Sequence, residues 1–200
     1  MTRTEPSDTR DTATAILDIA ERLVQRRGFN GFSYADVAAE LGITKASLHY
    51  HFAGKAELGE SLVARYAGRF EDALEAIDDR DVSAVDKLRD YCDIYRAVLS
   101  EQRMCLCGML AAEYETLPDP MRHAVVGFFD RNEAWLAGLL EGGRASGTFR
   151  FADEPEEAAR RVIAALEGAM LVSRPYGGTG VLDSVSEVLI EDLSLGSHAS

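Results

Sequence analysis

Residues 33–55 read SYADVAAELGITKASLHYHFAGK, and the order of caps and breakers in this stretch sets the fold class. Ser33-Tyr34-Ala35-Asp36 has the form of a capping box, in which a hydroxyl and a carboxylate three residues apart satisfy each other's free backbone amides. It opens a short helix through Val37, Ala38 and Leu41. Gly42 stops that helix, and Thr44 can cap a second one from Lys45 to about Phe52. Ala53-Gly54 breaks the pattern again before another helix begins near Lys55. Upstream, Ala13, Ile16, Ala20, Leu23 and Val24 recur at helical spacing until Gly28 ends the run. A longer helix followed by two short ones across a glycine turn makes a three-helix helix-turn-helix unit.

Leu41, Ile43, Leu48 and Phe52 would hold the second short helix on the other two, which turns its remaining side chains outward. Lys45 can donate to a guanine edge or a phosphate, Thr44 and Ser47 offer small hydroxyls, and Tyr50 and His51 have reach and a polar tip. Lys55 stands at the start of the next helix, where free amides attract an anion. A helix of this size can enter a DNA major groove. The same geometry also serves as plain packing between helices, so spacing alone leaves both readings open.

Charge favours the first reading for this segment only. The chain has 200 residues and a net charge of -13, which is wrong for a general nucleic-acid binder. The excess is not evenly spread: the first 70 residues carry nine basic and nine acidic side chains, and the whole surplus lies beyond them. A polyanion is tolerated by the N-terminal third, and the acidic remainder reads as solvated helix faces. No apolar run approaches the roughly 20 residues needed to cross a bilayer, and the polar opening MTRTEPSDTRDT is no signal peptide, so a cytoplasmic location without membrane contact is expected. Cys92, Cys105 and Cys107 lack the spacing of a disulfide framework or a zinc site and read as reduced thiols; no metal and no cofactor is expected.

After Asp78-Asp79-Arg80-Asp81, a charged connector, the periodicity predicts helices over about 84–101, 104–115, 121–146, 155–174 and 181–194, with Pro118, Pro120, Pro155 and Pro175 near their ends. The first ten residues and the last five are expected to be mobile. The fold class is therefore all-α, with an N-terminal unit at 10–70 and a second helical domain at 82–195.

The run ILDIAERLVQRRGFNGFSYADVAAELGITKASLHYHFAGKAELGESLV, residues 16–63, resembles the DNA-binding domain of the TetR family of bacterial transcriptional regulators. The family's pattern is an apolar first helix, a glycine, a Thr or Ser cap, IA..LG, then LY.HF..K..L. The resemblance implies that Ser33 and Tyr34 touch the DNA backbone, that Lys45, Ala46 and Ser47 approach base edges, and that His49, Tyr50, His51 and Lys55 hold phosphates or flank the bases, with Thr44 at the cap. The family usually has tyrosine where this chain has His49, so a contact there would be shorter or dependent on protonation. It also implies a two-fold homodimer on a near-palindromic operator.

Residues 158–172, AARRVIAALEGAMLV, and the positions Val181, Leu182, Val185, Val188, Leu189 and Leu193 are apolar over a wide arc, which calls for more than one packing partner. Burial inside the monomer is one reading. The other, implied by the resemblance, is a dimer contact made by the last two helices of each chain, with Gly168 and Ala169 allowing close approach.

The segment RMCLCGMLAAEYETLPDPMR, residues 103–122, is similar to part of TetR-family repressors of the N-ethylmaleimide-reductase type, in which a cysteine senses electrophiles. On one continuous helix Cys105 and Cys107 would lie about 200° apart. Both can be small buried core residues; alternatively Cys105, Cys107, Met109, Phe128 and Trp135 line a pocket for a ligand or electrophile. Tyr176-Gly177-Gly178-Thr179-Gly180 lacks the ending of a phosphate loop and reads as a turn. His123 and His198 stand alone, with surface roles expected. No catalytic constellation is visible, so a non-enzymatic, ligand-responsive dimeric repressor released by a small molecule or electrophile is expected. The alternatives are a helical small-molecule-binding protein or enzyme that keeps the helix-turn-helix as scaffold, or a transcriptional activator.

Overall fold

The computed structural model describes residues 6–195. Every regular element among them is helical: α1 (Pro6–Arg27), α2 (Tyr34–Leu41), α3 (Lys45–His51), α4 (Lys55–Asp78), α5 (Ala84–Ser100), α6 (Leu106–Ala112), α7 (Asp119–Ala145), α8 (Pro155–Ser173) and α9 (Gly180–Leu195), with single 3-10 turns at Tyr114–Thr116 and Arg174–Tyr176. The expectation of mobile ends falls largely outside the described residues, as does His198; within them, α1 already begins at Pro6. No helix among the described residues is long and apolar enough to cross a membrane.

The chain divides into two compact units, one formed by residues up to 67 together with 106–126, the other by 68–105 and 127 onward. In the first, α1 packs on α2 and α6, and α2 on α3. Its core is drawn from Ile16, Val24, Val37, Leu48, Leu58 and Leu62. Gly42, at φ 70°, takes the left-handed conformation that lets α2 end and α3 begin at once. A Cβ on Gly59 would lie 2.4 Å from Met121 Sδ, so α4 and α7 approach here only because residue 59 has no side chain. In the second unit α8 packs on α9, and α5 on both. Leu88, Leu136, Leu140, Leu166 and Leu182 are fully buried there.

One helix departs from the periodicity. The expected span 104–115 is a helix only from Leu106 to Ala112. At its front, α5 closes in a turn with Gln102 at φ 57°, a conformation few non-glycine residues adopt, and Cys105 precedes α6. Cys105 and Cys107 therefore do not share a helix, and the 200° argument does not apply to them. At the rear, the chain tightens into the 3-10 turn as the Glu113 carboxylate binds the Phe29 amide.

Candidate nucleic-acid interface

The α1–α4 region builds its surface from local bonds. Ser33, extended at φ -129°, forms the capping box with Asp36. Its amide and hydroxyl both donate to Asp36 Oδ2, at 2.7 and 2.6 Å, and these bonds hold the Asp36 carboxyl below its usual pKa. Thr44 Oγ1 accepts from the Ser47 amide at 3.1 Å and caps α3 as expected. Leu48 is fully buried and Phe52 nearly so, whereas Leu41 and Ile43 are half-buried. This leaves Thr44, Lys45, Ala46, His49 and Tyr50 exposed and Ser47 and His51 half-buried; Tyr50 is 79% exposed, a large aromatic that no core contact explains.

Tyr34, His49 and Lys55 are each committed on one side. The Tyr34 hydroxyl donates to Phe52 O at 3.1 Å, and burial, then the nearby Glu57 carboxylate, pushes its pKa up to about 12. His49 lies with its ring centroid 4.8 Å from that of Tyr34, and its Nδ1 donates to Ala53 O at 3.1 Å. With Nδ1–H so used, Nε2 carries a proton only in the imidazolium form. Lys55 Nζ donates to Phe32 O at 2.5 Å and lies over the rings of Phe29 and Phe32, 4.7 and 4.3 Å from their centroids. Burial lowers its pKa, opposed by Glu113 and Asp36. The lysine thus braces the turn before α2 with one N–H and keeps two others.

The structure brings Ser33, Tyr34, Lys45, His49 and Lys55 to the rim of one open depression of about 410 Å³, shared with Phe32 and Ala35. Thr44, Ala46, Ser47, Tyr50 and His51 do not line it; they stand along α3 beside it.

Sequence reasoning passes over Glu113. Its carboxylate accepts from the Phe29 amide at 2.5 Å and from the Asn30 amide at 3.2 Å, and the Asn30 side chain donates to Thr116 at 2.7 Å. The turn between α1 and α2 is therefore fastened to the end of α6. A lone glutamate at a helix end has no spacing signature; its partners lie more than 80 residues away.

The five residues proposed for a ligand pocket divide between the units. Cys107 and Met109 fall in the N-terminal one, Cys105, Phe128 and Trp135 in the C-terminal one. All three cysteines are buried, Cys105 at 2% and Cys107 at 0% exposure, and burial pushes the Cys92 thiol up to about 11. Arg103 forms an ion pair with Glu101. Phe128 meets the edge of Phe70 at 5.0 Å between centroids, and Trp135 stacks on Tyr91 at 5.5 Å while its indole N–H donates to Asp78 at 2.8 Å. His123 is exposed.

Residues 16–62 match the pattern of the bacterial regulatory proteins of the tetR family, and residues 84–189 match the tetracyclin repressor-like C-terminal domain. The chain belongs to the TetR family: it is a transcriptional regulator with an N-terminal helix-turn-helix and a helical ligand-binding C-terminal domain. It is 24% identical over 168 residues to the HTH-type transcriptional repressor DhaR of Mycobacterium sp. (strain GP1), with 84% of each chain covered. The structure of a TetR-family transcriptional regulator from Agrobacterium tumefaciens superposes with a TM-score of 0.90 at 29% identity, over 93% of this chain and 99% of that one. The reduced form of NemR from E. coli matches with a TM-score of 0.76 at 25% identity, over 90% and 96% of the two chains.

Proposed function

We propose that the protein is a dimeric, ligand-responsive repressor, with residues 10–70 binding a near-palindromic operator and residues 82–195 forming the dimerisation and ligand-binding domain. The observation that carries the DNA reading is the depression bordered by Ser33, Tyr34, Lys45, His49 and Lys55 beside the exposed donors of α3. A phosphate seated there would meet the ammonium groups and the free face of His49, while Lys45, Ala46 and Ser47 approach base edges and Tyr50 and His51 flank them. Dimerisation is supported by Leu171, Val172 and Val188, apolar side chains of α8 and α9 that are 61%, 53% and 52% exposed in the single chain.

A small molecule entering the C-terminal unit releases the operator by favouring a dimer whose two recognition helices no longer match the half-site spacing. An electrophile acting on Cys105 would first have to open the packing around that thiol. Nothing in this scheme requires catalysis, in keeping with relatives named as transcriptional regulators.

Sedimentation and operator binding test the scheme together. Leu171→Glu with Val188→Glu should give a folded monomer that has lost operator affinity. A doubly substituted protein that remains a dimer and binds as the parent does would refute the α8–α9 contact.

A further inference from the structure

In the C-terminal unit the turn that closes α5 and the turn that leaves α8 border one cavity of about 340 Å³. Leu99 and residues 102–104 line it from the first turn, residues 173–178 from the second. Its charged lining is Arg103 and Arg174; no aspartate or glutamate among the described residues lines it. In a chain with 34 acidic and 21 basic side chains, a cavity whose charged lining is wholly cationic runs against the composition. The site is open on the side of the second turn, where Arg174, Tyr176 and Gly177 are exposed. Leu99 and Met104 are buried and give it an apolar wall.

Ser173 adds a buried donor. Its side chain is fully buried, its hydroxyl accepts from the Leu182 amide at 3.3 Å, and among the described residues no acceptor takes its own proton. Arg103 pairs with Glu101 through Nη2, while its Nε is buried and makes no hydrogen bond. Enclosed donors are costly to leave unsatisfied, and an oxygen seated in the cavity would supply the acceptor.

Two features oppose an anion here, and neither is large enough to exclude one. The C-terminal ends of α5 and α8 border the cavity, each worth about -0.5 of a charge. At α5 the Val98 and Leu99 carbonyls are already taken by the Arg103 and Gln102 amides, and two guanidiniums carry twice the charge of two helix ends. Glu101, the partner of Arg103, has a side chain 62% exposed and is not part of the lining. A pair this exposed is weak, so a ligand carboxylate can share Arg103 with it or replace it.

We propose that this cavity binds a small organic carboxylate, its oxygens held by the Arg103 and Arg174 guanidiniums and the Ser173 hydroxyl, its apolar body against Leu99, Met104 and Pro175. The proposal deepens the ligand-responsive reading above and rests on it. A planar guanidinium offers a carboxylate two parallel N–H donors. Inorganic phosphate would meet the same donors but leave the apolar wall uncovered, and about 340 Å³ lies at the small end of ligand sites.

Calorimetric titration of the full chain with benzoate, benzamide and inorganic phosphate at constant ionic strength tests this, with operator binding measured on the same samples. Benzoate should bind at least tenfold more tightly than either of the other two. Arg174→Gln, at an exposed position, should weaken benzoate binding at least tenfold and leave benzamide unchanged. Arg150→Gln removes an exposed arginine of the same unit that does not line this cavity, and should bind benzoate as the parent does. No benzoate binding by a parent that still binds operator, equal benzoate affinity in parent and Arg174→Gln, or an equal loss in Arg150→Gln overturns the proposal. Phosphate bound as tightly as benzoate also overturns it, since the cavity would then be a site for inorganic anions. Benzoate binding that needs Arg174 yet leaves operator affinity unchanged upholds the site and counts instead against ligand-responsive repression. Thermal melting checks that both variants are folded, and the comparison of benzoate with benzamide in the parent stands without either of them.

Discussion

In the N-terminal unit the polar side chains of the α2–α3 region stand at the surface, and Ser33, Tyr34, Thr44, His49 and Lys55 each have one local bond that fixes their direction. In the C-terminal unit Tyr91, Tyr95 and Asn132 are buried and bond to one another. The first arrangement costs little, because exposed donors are solvated until a partner replaces the water, and the local bonds restrict them in advance. The second stores an unmet requirement at Glu167 Oε1, which depends strongly on protonation. One unit holds its polar groups at the surface, the other gathers them inside.

Four changes would break or sharpen this contrast. The largest effect is expected from pH acting on Glu167. Its folded pKa, about 7, lies above the ordinary carboxyl value of 4.5, so the folded state holds the proton more tightly. The associated stability is complete below about pH 4.5 and is lost as pH rises to about 7, a decline on the order of 3 kcal/mol. Chemical denaturation of parent and Glu167→Gln across that window should show the decline only in the parent.

Next is Glu113→Ala, which deprives the Phe29 and Asn30 amides of their acceptor and should cost about 1–3 kcal/mol. Amide exchange at those two residues should speed up more than at Leu166 in the other unit. Thr44→Ala removes the α3 cap and should cost about 1 kcal/mol, read as faster exchange across Lys45–His51. The smallest effect concerns His49. Since its Nδ1–H is held by Ala53 O, only the imidazolium offers a phosphate an Nε2–H donor. His49→Phe, which keeps a ring and loses the donor, should weaken operator binding a few-fold; unchanged affinity would remove His49 from the interface.

The N-terminal unit is legible in the sequence because its determinants are local. Ser33 with Asp36, Gly42 and Thr44 each act within four residues, and the helix-turn-helix follows from their order. The ends of α6 are not legible. Gln102 must take a positive φ, and Glu113 must reach the amides at 29 and 30, constraints set by tertiary packing that spacing does not encode. The outward residues of α3 could be named from their chemistry, but not the partial commitment of Lys55 to Phe32 O and two ring faces. Cys105 and Cys107 stand out in the sequence through the resemblance of residues 103–122, whereas Glu167, whose buried Oε1 has no hydrogen-bond partner, is an ordinary glutamate in a sequence rich in them. Its hydrogen-bond partner, Cys105, lies more than 60 residues upstream.

The central claim is that α3 reads DNA, and comparison of Lys45→Ala with Lys55→Ala tests it most directly. DNA selected by the parent from a random pool, together with single-base variants of it, would be titrated with each protein at several salt concentrations. Lys45→Ala should relax the preference at one position in each half-site, at a cost of about 1–3 kcal/mol. Lys55→Ala should weaken all sequences alike and flatten the salt dependence, because its partner is a phosphate. If both variants bind with the parent's affinity, sequence preference and salt slope, α3 is not the recognition helix.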